Sequence, residues 1–281
     1  PVFVDVLPET LNLNPELVER AITSRTKAIF TVHYGGIAQG IDRIKQIADK
    51  HGLFLVEDNA HGLAGTYKGQ LLGTFGDLST LSFHETKNIS CGEGGALTFN
   101  SEKFVEQAEI LREKGTDRSR FLRGQVDKYT WVGIGSSWVL SDLLAAFLTA
   151  QLDNFERIQS RRGEIWNTYA SELDNWAANS GFILPFVPAE AKHPSHLFYL
   201  HAPDLESRSA FINHLKEQDV MAVFHYQALN ASKVGVELGG RVGDCPVSEK
   251  AADTLVRLPL YYSLSDSNLD QVLSAIQTFR A

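Results

Sequence analysis

The chain has 281 residues, 43% of them hydrophobic and 21% charged, enough apolar material for one large globular unit or two ordinary ones. Its 34 acidic against 26 basic residues give a net charge of −8, which argues against a general nucleic-acid binder. The two cysteines, Cys91 and Cys245, are too few for a disulfide framework or a Cys-rich zinc site and suit a reducing, cytoplasmic compartment; no run approaches the ~18 apolar residues of a membrane span.

The chain opens at Pro1 with no charged leader, and residues 2–6 (VFVDV) read as a strand, so the chain is expected to begin inside a folded unit. Asn14-Pro15 is an N-cap followed by a proline at the first helical position, and Leu17, Val18, Ala21 and Ile22 form a helical stripe behind it. Residues 28–32 (AIFTV) read as a strand and residues 41–50 as a helix. Residues 53–56 (LFLV) are a short apolar strand ending in Glu57-Asp58, and residues 78–83 and 96–99 complete the strand set. Strands alternating with helices predict an α/β layer architecture with a largely parallel sheet.

The middle of the chain changes character. Residues 102–114 read as an amphipathic helix and residues 114–125 (KGTDRSRFLRGQ) as a basic surface loop. Residues 141–158 predict one long helix, capped by Ser141 or Asp142, with Leu143, Leu144, Phe147, Leu148 and Leu152 on its apolar side. The helical pattern continues over 162–178. Pro185, Pro188 and Pro194 then mark a linker. Strands are expected over 196–201 and 220–225, and helices over 207–218, 248–257 and 265–279. This reading divides the chain into a large α/β domain, residues 1–180, and a smaller α+β domain, residues 181–281.

Chemistry concentrates in residues 81–97, LSFHETKNISCGEGGAL. Lys87 lies just past an apolar strand and before a glycine-rich turn. A lysine in a desolvated cleft has a depressed pKa, and its neutral amine can form a Schiff base; an exposed lysine is the plainer alternative. Asp58 ends the strand in VEDNAHG, at the carboxyl end of the strands, where ligands of parallel α/β sheets gather. Its alternative is a turn or cap. A lysine paired with a strand-end carboxylate is what pyridoxal 5'-phosphate (PLP) requires, because the carboxylate holds the pyridine nitrogen protonated. Ser82 offers a hydroxyl to a phosphate.

VEDNAHG, SFHETKN and GEGGAL together resemble the DegT/DnrJ/EryC1/StrS family of sugar aminotransferases. The likeness extends over nearly the whole chain, through HYGG at 33–36, REKGTDRSRFLRGQVDKYTW at 112–131, GSSW at 135–138, AVFHY at 222–226 and RLPLYY at 257–262. It implies the fold type I, aspartate aminotransferase-like architecture, PLP as cofactor and a homodimer whose sites sit at the subunit interface. Lys87 would be the Schiff-base lysine and general base, Asp58 the partner of the pyridine nitrogen and Ser82 a phosphate ligand. His61 stands where many members have a glutamine against the cofactor ring; a structural histidine is the alternative. His225 and Tyr226 match a pair near the sugar, or else a strand end packed under the small domain. Glutamate would be the amino donor and a nucleotide-linked 4-keto-6-deoxyhexose the acceptor; no metal, nucleic acid or membrane partner is implied.

Three departures stand out. The family's G-x-N-x-R run, whose asparagine reaches the partner subunit's cofactor phosphate, is replaced by Gly135-Ser136-Ser137-Trp138-Val139. Gln227-Ala228-Leu229-Asn230 stand where relatives often have a proline and a histidine. The family's opening segment, with a Ser/Thr-rich phosphate turn and an aromatic that stacks on the cofactor, is expected to be missing. Two other readings follow: a PLP-dependent sugar dehydratase, which Lys87 opposes because those relatives carry histidine there, and an incomplete chain that binds PLP poorly. The basic side chains of Lys114, Arg118, Arg120 and Arg123 form either a nucleotide contact or a solvated loop.

Overall fold

The computed structural model describes residues 1–280. Asn14 accepts from the Glu16 amide and starts α1 (Pro15–Ala21), as its sequence predicts. The chain then runs through β1 (Ala28–Val32), α2 (Ile41–His51), β2 (Phe54–Asp58), the short β3 (Thr66–Tyr67) and β4 (Gln70–Leu71), β5 (Leu78–Ser82) and β6 (Gly95–Phe99). β1, β2 and β5 are parallel neighbours, and β6 closes the sheet antiparallel to β5. Val32, Asp58 and Thr80 are in register, so the carboxyl ends of three strands lie side by side. Ile41, Ile44, Ile47 and Ala48 of α2 pack with Ile29 and Leu55 to form the core beneath one face.

Residues 2–6 form no strand: the segment is extended and makes one isolated bridge, Val6 to Leu13. A β-rich apolar run becomes a strand only beside a partner edge. The segment is held instead through Asp5, whose carboxylate accepts from the amides of Val247 and Ser248.

After β6 come α3 (Val105–Arg112) and α4 (Arg118–Leu122), the second a short helix inside the expected basic loop. The single helix expected over 141–158 is two, α5 (Asp142–Asp153) and α6 (Phe155–Ser180), broken at Asn154, whose side-chain amide turns back onto the Ala150 carbonyl. Ser141 caps α5 through the Leu144 amide. α5 buries no residue completely: Leu144 and Leu148 pack against the Phe83–Ile89–Cys91–Ile158 cluster, whereas Leu143 and Phe147 face outward.

β7 (Ala191–Lys192) pairs back onto β3, and β8 (Phe198–His201), α7 (Leu205–Glu217), β9 (Val223–Phe224), α8 (Lys233–Glu237), α9 (Pro246–Thr254), β10 (Leu255–Leu258) and α10 (Asp266–Thr278) follow. The helix expected over 248–257 stops at Thr254. From Leu255 the chain is extended and becomes β10, the central strand of an antiparallel sheet ordered β8-β10-β9. Pairing on both edges outweighs the helical periodicity. The strand expected over 220–225 shrinks to β9. The largest core joins this sheet, α7 and α10 to Ile165, Trp166, Tyr169, Leu173 and Ala177 of α6. α6 thus contributes its buried face to the C-terminal core.

Candidate active site

Lys87 lies in the loop between β5 and β6. The loop is pinned at its base by Phe83 and Gly94, whose amide and carbonyl bond at 2.8 Å, and by Cys91 to Phe83 at 2.9 Å. Phe83, Ile89 and Cys91 anchor it in a small apolar cluster with Ile158, and Lys87 itself stays half-buried. Asn88 fixes the next step: its amide nitrogen donates to the Pro194 carbonyl at 2.7 Å and to Gln159 at 3.0 Å. Its remaining oxygen accepts from the His196 Nδ1 at 2.8 Å. The loop that carries the lysine is thereby tied to α6 and to the 194–196 segment.

Asp58 ends β2 and is half-buried. Its Oδ1 accepts from the Ala60 amide at 3.0 Å. Behind it, alternation turns Glu57 inward, where it is fully buried and accepts from His33 at 2.7 Å and from the amides of Gly73, Phe75 and Gly76. Burial works to raise the Glu57 pKa, but His33 and these N–H groups outweigh it and hold the carboxyl below its usual value. This clamp sets the end of β2 against the 73–76 turn and so positions Asp58.

The Lys87 ammonium is pushed below its ordinary pKa, chiefly by burial; Asp58 opposes the shift and Arg257 adds to it. Ser82, at the end of β5, receives only a long contact from the His84 amide at 3.4 Å, which leaves its O–H free to donate. His61 accepts at Nδ1 from the Gly35 amide at 3.2 Å, so its proton sits on Nε2. Its ring stacks on His196 with centroids 4.3 Å apart. His225 hydrogen-bonds Tyr34 through Nδ1. Tyr226, beside it, is exposed. Asp58, His61, Lys87 and His225 lie close enough for Lys87 to feel the Asp58 carboxylate and for the two imidazoles to feel Lys87, while Ser82 ends β5 beside β2 and Tyr226 is exposed next to His225. The donor set suits PLP: a desolvated amine, a strand-end carboxylate, a free hydroxyl and a neutral imidazole.

Tyr34, Asn88, His196, Tyr199 and Arg257 also line or support this site. Tyr34, Asn88 and Arg257 fall in the HYGG, HETKN and RLPLYY runs, and His196 and Tyr199 in the strand expected over 196–201; no spacing rule separates them from ordinary strand and loop residues.

Residues 1–277 match the model of the DegT/DnrJ/EryC1/StrS aminotransferase family. The chain belongs to that family. It is 36% identical over 284 residues to protein MJ1066 of Methanocaldococcus jannaschii, covering 99% of this chain and 73% of that protein. It is 32% identical over 285 residues to the spore coat polysaccharide biosynthesis protein SpsC of Bacillus subtilis, covering 99% and 72%. The PLP form of the putative sugar aminotransferase Spr1654 from Streptococcus pneumoniae superposes with a TM-score of 0.89 at 26% identity, over 99% of this chain and 74% of that one. As a member of the family, this chain is a PLP-dependent sugar aminotransferase with the α/β fold of that class.

Burial holds the pKa of His61 to about 3 and those of His193 and His201 to about 4. These rings are neutral in the fold and titrate near 6.5 once unfolded. Their contribution to stability is complete above pH 6.5 and is lost as pH falls from there toward 4, on the order of 1–2 kcal/mol per ring at pH 5. The urea midpoint is expected to drop steeply between pH 7 and pH 5; an unchanged midpoint would show that these rings are not buried neutral.

Proposed function

We propose that the chain transfers the amino group of glutamate to C4 of a nucleotide-linked 4-keto-6-deoxyhexose. The specific conversion is dTDP-4-keto-6-deoxyglucose to dTDP-4-amino-4,6-dideoxygalactose, the amino sugar of enterobacterial common antigen. The observation that carries the reading is Asp58, at the end of β2, acting on the charge of Lys87 in the loop that follows the neighbouring β5. The subgroup reading rests on the 112–131 and GSSW runs, and a relative concerned with spore coat polysaccharide fits a role in supplying an amino sugar.

Bound PLP supplies an electron sink for the carbanion at the reacting carbon. Lys87, as a neutral amine, takes the proton from the donor's α-carbon and delivers one to C4 of the sugar. Asp58 holds the cofactor's ring nitrogen protonated. Ser82 donates its O–H to the phosphate, His61 packs against the ring, and His225 with Tyr226 contacts the sugar.

Two copies form the working unit in this reading. Trp131 and Ile134 are 80% and 85% exposed and Leu143 is 85% exposed, while Trp138 and Phe147 extend the same apolar band along 129–153. Such a band exceeds what an isolated surface carries and fits a second copy, with the 129–138 segment reaching toward the partner's site. A single species at twice the chain mass in sedimentation is expected; an active monomer would exclude it. The two free cysteines fit a reducing, cytoplasmic setting.

The test is incubation of the purified PLP-loaded protein with glutamate and dTDP-4-keto-6-deoxyglucose, with chromatography of the nucleotide sugars. The 4-amino sugar and 2-oxoglutarate are expected in equal amounts. Cofactor binding without amination of this or any nucleotide 4-keto sugar would remove the substrate assignment.

A further inference from the structure

Residues 194–196 touch all three loops that leave the carboxyl ends of the parallel strands. After β1, Gly36 stands against Pro194: its φ is +78°, and a Cβ on it would lie 2.5 Å from the Pro194 Cδ. After β2, the His61 ring stacks on His196 with an interplanar angle of 28°. After β5, Asn88 donates to the Pro194 carbonyl and accepts from His196. The segment is held from behind by α6. Arg162 is buried and donates to the carbonyls of Ser195, at 3.1 Å, and His196, while Gln159 donates to the Pro194 carbonyl at 3.1 Å. Between them Ser195 sits at φ +51°, a left-handed conformation that a residue with a side chain keeps only where its surroundings impose it. Strain of this kind gathers where reactive groups must be placed.

The hydrogen bonds fix which nitrogen of His196 carries the proton. The Asn88 amide nitrogen faces two acceptors, the Pro194 carbonyl and the Gln159 Oε1, so its oxygen is the atom turned to His196. An amide oxygen only accepts, so His196 Nδ1 is the donor and its Nε2 is bare. His61 has the opposite tautomer, since its Nδ1 accepts from Gly35. Burial, with the charges of His61, Arg162 and Lys87 added to it, keeps the His196 ring neutral. Turning that ring over would leave both its Nδ1 and the Asn88 oxygen without the partner each has now, a costly change for buried groups.

We infer that His196 is a positioning residue for the reaction: its Nδ1–H holds Asn88, and with it the backbone that presents Lys87, while its ring face sets the plane of His61. One side chain thus couples the reactive amine to the imidazole that packs against the cofactor. A donor without a ring keeps only the first of these contacts, and a ring without a donor keeps only the second. The two roles therefore separate by substitution. The inference rests on Lys87 being the reactive amine, as proposed above.

The test compares wild type with His196→Phe, which keeps an aromatic face and loses the donor, and His196→Asn, which keeps a side-chain N–H and loses the face. Nitrogen-15 NMR of the cofactor-free wild type is expected to place the His196 proton on Nδ1; a proton on Nε2 overturns the inference. PLP is then added to each protein, and the shift of its absorbance as it joins Lys87 is timed. His196→Phe is expected to slow this step and kcat about 10- to 100-fold, the effect of a small misplacement of a reacting group. The KM for glutamate should stay within about threefold, the scale of ordinary context effects. His196→Asn should recover both rates to within about threefold of wild type and bind PLP about 3- to 10-fold more weakly, the loss of one aromatic contact. Wild-type rates in His196→Phe overturn the inference. Equal losses in both variants also overturn it, since His196 would then act by packing alone. If His196→Phe does not fold, Asn88→Ala, which removes the acceptor, decides by the same rates: slowing supports the inference and wild-type rates overturn it. An absorbance shift that survives Lys87→Ala would remove the reading of Lys87 and this inference with it, whatever the His196 variants do.

Discussion

Replacing Lys87 with alanine is expected to abolish transamination, with kcat falling on the order of 10⁴-fold, the upper range for loss of a positioned acid–base group. The fold should survive. Lys87 is half-buried and its amine is held below its ordinary pKa by burial, so removing it relieves a desolvated charge. The loop keeps its anchors in Phe83, Ile89 and Cys91 and its tie through Asn88. Circular dichroism and the melting midpoint should match wild type, while turnover with glutamate and the nucleotide sugar disappears. Alanine-variant turnover at the wild-type rate would show that another group moves the proton.

Asp58→Asn is expected to retain PLP and lose about 10²–10³ in rate, the usual cost of deleting one preorganised electrostatic contact. An amide cannot hold the ring nitrogen protonated. The local backbone should be untouched, because asparagine retains the Oδ1 that accepts from Ala60 and the main chain keeps its bond to His33. A second readout separates electrostatics from structure. Asp58 raises the Lys87 pKa against the effect of burial, so its neutralisation lowers that pKa further. The acidic limb of the kcat–pH profile should therefore move to lower pH in Asp58→Asn. An unmoved limb with lost activity would mean that Asp58 acts on Lys87 less directly than proposed.

Local chemistry made much of this protein legible. Asn14-Pro15 and Ser141 are helix starts because a side-chain oxygen and a fixed φ act within three residues, and both serve as such in the fold. The α2 stripe of Ile44, Ile47 and Ala48 is buried as its 3.6-residue period requires. The errors fall where a local pattern had to wait for a distant partner. Residues 2–6 are apolar and β-rich like a strand but find one bridge. Residues 255–257 continue a helical period, yet pairing with both β8 and β9 draws them into the centre of a sheet. Leu143 and Phe147 share a stripe with Leu144 and Leu148, but only the latter pair meets a core.

The sequence by itself determined the α/β class, the family and the candidacy of Lys87, Asp58 and Ser82, because these depend on residue type beside a strand end, which is local information. The tertiary structure alone decided that β1, β2 and β5 are adjacent, which puts Asp58 and Lys87 into one cleft. It also decided that residues more than a hundred positions away complete that cleft. Asn88 meets His196 across 108 residues, and Tyr34 meets His225 across 191. Arg257 shows the reason most clearly. In the sequence it is one arginine in an apolar run. Only strand register, which is set by pairing between distant segments, turns it away from the core and toward the site with its guanidinium Nε unpartnered.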